Sequence, residues 1–155
     1  MDATTPKPAA HIGWRLLALA YDFFPALALW MAAAALFTLG YWIAGHPVRA
    51  NIAPFSPTQL ALWLTCWMLT GAYAVVSWRR GGQTLGMRPW RLWVVGADGA
   101  PATTKALSLR FAAGTLSLLL GGLGFWWAWF DRDALALHDP LSHTRILRKA
   151  KCSVG

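Results

Sequence analysis

Three long stretches of this chain carry no Asp, Glu, Lys, Arg or His: residues 23–45, 60–78 and 111–130. A bilayer core of ~30 Å takes roughly 20 helical residues at about 1.5 Å each, so every one of these runs is long enough to cross it. Backbone inside hydrocarbon has to satisfy its own hydrogen bonds. A helix does so within one segment, and a short apolar strand does not. The runs therefore point to an all-α membrane protein. Composition agrees: hydrophobic residues make up 57% and charged residues 13%, against roughly 25% charged in soluble domains. At 155 residues the chain is long enough for one domain.

Residues 1–10 read as a disordered polar lead containing Pro6 and Pro8, and residues 11–150 as a single membrane domain. The first helix is expected at about 12–45, the second at about 58–78, a cytoplasmic loop at 79–105, the third apolar segment at 106–130 and a cytoplasmic tail at 131–155. The first run exceeds a signal-peptide core and lacks a convincing cleavage site, so it is expected to remain as an anchor. Pro25 lies inside it, has no N–H, and is expected to leave the Tyr21 carbonyl without its usual partner and to kink the helix. The first loop carries Arg49 alone, whereas the second carries Arg79, Arg80, Arg88, Arg91 and Lys105. The excess of basic residues places the second loop and the amino terminus in the cytoplasm.

Within that loop, residues 90–95 read as a short strand before a turn at Asp98–Gly99, and residues 144–148 read as a second strand. If the two pair, as a two-stranded hairpin in a small cytoplasmic cap, they lie on one side of the membrane. The tail's Arg132, Arg145, Arg148, Lys149 and Lys151 resist export, and Gly121, Gly122 and Gly124 interrupt the third run. The third segment either spans or re-enters. Re-entry is favoured, with both termini cytoplasmic.

Fourteen Lys and Arg against six acidic residues give a net charge of +8. These charges flank apolar runs, which fits membrane topology better than nucleic acid, and no nucleic-acid partner is expected. Trp14, Trp42, Trp78, Trp126, Trp127 and Trp129 lie at or near the ends of the runs, where an aromatic belt accounts for them. Cys66 and Cys152 fit neither a disulfide nor a metal motif.

Ionisable groups inside apolar helices are the costly choices here. Asp22 stands in the first helix at a position worth ~2.5–3.5 kcal/mol on insertion scales. Arg15, seven residues earlier, lies on nearly the same face, too far to touch directly. Arg110 is the natural third group to bridge them. Asp22 reads either as a proton- or cation-binding carboxylate or as part of an ion pair that fixes helix packing. Gly81-Gly82-Gln83-Thr84-Leu85-Gly86 lacks the Lys and Ser/Thr of a phosphate loop and reads as a tight turn where backbone passes close to helices. His138, Asp139 and His143 match no ligand spacing, so no metal is expected. No nucleophile–base arrangement stands out. Neither an enzyme nor a cofactor is expected.

Taken together, these residues resemble the RDD family of small bacterial membrane proteins, named for an Arg and two Asp. The resemblance rests on Arg15 and Asp22 in Trp14-Arg15-Leu16-Leu17-Ala18-Leu19-Ala20-Tyr21-Asp22. It continues through Gly81-Gly82-Gln83-Thr84-Leu85-Gly86 with Arg88, Leu92, Val94, Val95, Asp98 and Gly99, and ends at His138-Asp139, Leu141 and Thr144. Pro89, Pro140 and His143 depart from the family pattern. The resemblance implies signature residues Arg15, Asp22 and Asp139 and residence in the bacterial cytoplasmic (inner) membrane. It further implies a small-cation or proton transporter or antiporter component acting through Asp22. The alternative is a non-transporting scaffold or assembly factor whose Arg and Asp residues hold the helices together. Two or three spans enclose little volume, so a homo-oligomer is expected.

Overall fold

In a computed structural model, the structure describes residues 12–47, 52–121 and 141–148. The elements run α1 (Ile12–Ile43), α2 (Pro57–Gly81), β1 (Leu92–Gly96), α3 (Thr104–Leu119) and β2 (Thr144–Arg148). They form two compact units, one built from the chain up to Asp22 and from Ala74 onward, the other from Phe23–Tyr73.

In the Phe23–Tyr73 unit the described residues are mostly helical and bury little. Among the described residues two helices, Gly13–Ile43 and Pro57–Gly81, are long and apolar enough to cross a membrane. Among the unit's described residues only small side chains are buried, Ala26 and Ala33 among them, while Phe24, Met31, Leu36, Leu64 and Met68 are exposed. Small residues let helix backbones approach where lipid supplies no hydrophobic drive between helices. Trp30 Nε1 donates to Thr70 Oγ1 at 2.8 Å, and that hydroxyl in turn donates to the Cys66 carbonyl. The start of α2 is pinned by its own sequence. Ser56 Oγ accepts from Gln59 N at 3.2 Å, the Gln59 side chain accepts from Phe55 N at 2.6 Å, and Pro57 occupies the first helical position. There a missing N–H costs nothing.

The other unit has a conventional core. Ala18, Met87, Leu92, Val94, Ala102, Leu107 and Ile146 cluster together, with Trp14, Val75, Trp78 and Trp90 packed against them. β1 and β2 pair antiparallel, Leu92 opposite Arg148 and Gly96 opposite Thr144. The expected pairing is present, but the strands are joined through α3, so this is not a tight hairpin. Burial alternates along β1, which sends Leu92 and Val94 inward. Thr103 caps α3 by accepting from Ala106 N at 3.3 Å.

α3 has 16 residues, about 24 Å at the usual rise and shorter than a ~30 Å hydrocarbon core. The chain turns at Leu120–Gly121, where the glycine cluster begins. The rest of the third apolar segment lies outside the described residues, as do Arg49, Asp139, Cys152, Trp126, Trp127 and Trp129.

Candidate functional site

Two of the polar residues singled out in the sequence, Arg15 and Asp22, lie with Ala18 on one face of α1. Arg15 and Ala18 are buried and Asp22 is half-buried. Spacings of three, four and seven align side chains on one helix stripe. What covers this stripe is the glycine-rich loop.

Each residue of Gly81-Gly82-Gln83-Thr84-Leu85-Gly86 has a distinct place. Gly81 closes α2 with open space around it. Gly82 takes a φ of 67°, which an L side chain rarely adopts, and its carbonyl accepts from Val94 N at 2.8 Å. Gln83 Nε2 donates to the Leu92 carbonyl at 2.7 Å. These contacts fasten the loop to β1. Thr84 Oγ1 donates to Asp22 Oδ2, and Gly86 N donates to Asp22 Oδ1 at 2.9 Å. Those fasten the same loop to α1. A Cβ on Gly86 would overlap the Ala18 carbonyl oxygen and stand 2.7 Å from the Asp22 carboxyl carbon. No side chain fits there.

Both oxygens of the Asp22 carboxylate thus accept a hydrogen bond from the loop. Such bonds are short and about twice as strong as neutral ones when the acceptor is ionised. They also offset the cost of withdrawing a carboxylate from water. The arrangement can act as a clasp between a helix and a loop.

A second polar cluster surrounds Arg110. This side chain is 4% exposed on the face of α3 that also buries Leu107 and Ser117. Arg110 Nη1 donates to Thr144 Oγ1 at 2.7 Å, and Ser142 Oγ lies 2.7 Å from the same hydroxyl. The guanidinium stands 5.8 Å from the Trp78 ring centroid. Thr144 belongs to β2, so this buried cation ties α3 to the sheet. Asp139, the fourth expected site residue, lies outside the described residues. Among the described residues no group of three His, Cys, Asp or Glu comes together.

Ser142 and Trp90 escaped the sequence reading. Their signal was present but weak: residues 142, 144 and 146 alternate with exposed 143 and 145, which marks Ser142 and Thr144 as inward-facing hydroxyls. Trp14 and Trp78, expected in an aromatic belt, also make contacts with the core. Trp14 stacks on Trp90 at 4.9 Å, and Trp78 Nε1 donates to Met87 Sδ at 3.3 Å. Both pack against the core cluster.

Comparison with curated proteins and with solved structures finds no match. Comparison with family models finds the RDD family over residues 9–143, most of the chain. The matched span takes in α1 with Arg15 and Asp22, α2, the glycine-rich loop, β1 and α3. The chain belongs to the RDD family, and its apolar helices fit an integral membrane protein.

Proposed function

We propose that this chain is a non-transporting membrane scaffold or assembly factor of the bacterial cytoplasmic membrane, with both termini and the polar cap in the cytoplasm. Asp22 serves in it as a structural acceptor. The observation that carries this reading is the double hydrogen bond from Thr84 Oγ1 and Gly86 N to the two oxygens of Asp22. A carboxylate engaged in this way stabilises a helix–loop junction, and a mobile cation would have to compete with it. No reaction chemistry is assigned to the site. Arg15 and Arg110, both buried, belong to the same role of holding elements together.

A second reading keeps Asp22 as the carrier of a proton or monovalent cation. Its support is the placement of a half-buried carboxylate in an otherwise apolar helix, a costly choice that marks functional sites in membranes. A carrier of this size would work as a homo-oligomer.

Reconstitution into proteoliposomes with a pH-sensitive dye and sodium, lithium or potassium jumps separates the two, with particle mass read from the same sample. The scaffold reading expects no flux above protein-free vesicles. Asp22→Asn should then lower stability by about 1 kcal/mol, the difference between charge-assisted and neutral hydrogen bonds. The drop is modest because an Asn can still accept from Gly86 N while the Thr84 hydroxyl turns to accept from its amide. Flux in the wild type that vanishes in a fully folded Asp22→Asn protein defeats the scaffold reading.

A further inference from the structure

We propose that Arg88, Arg91 and Arg148 form a binding site for the phosphate headgroup of an anionic phospholipid. Their backbone positions are neighbours, although Arg148 lies far from Arg88 and Arg91 in sequence. Arg88 and Arg91 sit on a loop closed by Arg91 N donating to the Arg88 carbonyl at 3.1 Å and Leu92 N donating to the Met87 carbonyl at 3.2 Å. Arg148 is brought alongside because its Cα pairs with Leu92, the residue after Arg91. All three residues are exposed, and the acidic side chains among the described residues, Asp22 and Asp98, accept from Thr84 and Gly86 and from Ala100 N respectively. Arg91 holds a φ of 55°, a backbone conformation uncommon outside glycine and one that gathers at functional positions.

The loop is fastened where a bilayer surface would lie. Trp90, between the two loop arginines, packs on Trp14 at 4.9 Å and edge-on to Tyr21 at 6.0 Å, and both partners stand in the first turns of α1. The Arg148 guanidinium lies 4.7 Å from the Trp14 ring centroid. Indole rings favour the headgroup level, so a cation stacked on Trp14 near the start of an apolar helix is held at headgroup depth. The planar guanidinium fork matches phosphate oxygens two at a time. Three such forks without a described counter-charge repel one another, and a phosphate group between them removes that repulsion. The nearby ends of two apolar helices point to a lipid as the source of that phosphate, in preference to a free ion.

Native mass spectrometry of the full chain released from micelles containing phosphatidylglycerol and phosphatidylcholine tests the site. The wild type should retain phosphatidylglycerol in preference, and the preference should fall as salt rises. Free glycerol phosphate should not displace it. The Arg88→Gln/Arg91→Gln double variant should lose about fivefold in the preference for each Arg removed. Arg91→Lys, which keeps the charge and loses the fork, should fall between. Arg79→Gln/Arg80→Gln should keep the wild-type preference, because those residues end α2 outside the cluster. A wild type without preference for phosphatidylglycerol overturns the site whatever the variants do. Equal losses in the two double variants also overturn it, since they would report diffuse charge alone.

Discussion

The two units of this chain bury opposite things. From Phe23 to Tyr73 the large apolar side chains point outward, Leu36 at 68% and Met31 at 65% exposure, and the interior holds alanine. In the unit built from Asp22 back and Ala74 onward, Leu92 and Leu107 are sealed, and arginine and threonine are buried beside them. The first pattern is stable only where the surroundings are apolar. The second is the ordinary solution for a domain that meets water on part of its surface. One chain therefore carries two packing rules, divided on α1 at Asp22. The carboxylate stands at the boundary between the two units. There the loop donors relieve its cost.

That contrast can be attacked at several points. The largest effect is expected from Gly86→Ala, because the added methyl would overlap the Ala18 carbonyl oxygen and the Asp22 backbone, neither of which is a flexible side-chain end. A loss of about 3 kcal/mol, the upper range for overpacking, should remove most folded protein from size-exclusion profiles in detergent. A normal yield with unchanged melting would show that the loop does not rest on α1. Next, Met31→Asp should cost about 2.5–3.5 kcal/mol of membrane insertion, read as the fraction resistant to carbonate extraction. An exposed Met on a water-facing helix would tolerate the same change. Unaltered insertion would break the assignment of this face to lipid. The last test is a matched pair, whose exposed member gives the smallest effect of all. Leu107→Ala should destabilise by about 2–4 kcal/mol through lost burial and a cavity, whereas Leu36→Ala should fall within about 0.5 kcal/mol. Equal costs in reversible unfolding in mixed micelles would erase the distinction between the units.

Much of this was legible in the residues alone. The uncharged runs marked α1 and α2, because the period and length of an apolar helix need no tertiary information. The strand at residues 144–148 also followed from local pattern, and the other strand shifted by a residue or two, since Trp90 packs on α1 instead of joining the ladder. Asp22 stood out by its cost. Its donors did not, for Thr84 lies 62 positions away and only the fold brings the two together. The glycine-rich loop looked like a turn from its composition, but the need for glycine at position 86 comes from a neighbour on another element. Arg110 was expected to bridge Arg15 and Asp22. One of its bonds runs to Thr144 on β2, 34 positions away, a contact that no local pattern could register.

The claim that Asp22 fastens the loop to α1 is tested most directly by a double-mutant cycle between Asp22→Ala and Thr84→Val, read by reversible unfolding in mixed micelles. If the carboxylate is a clasp, the two losses overlap, and the double variant should be more stable than the sum of the singles predicts by about 1–3 kcal/mol. Strict additivity, with each substitution acting as though the other residue were absent, would contradict the account.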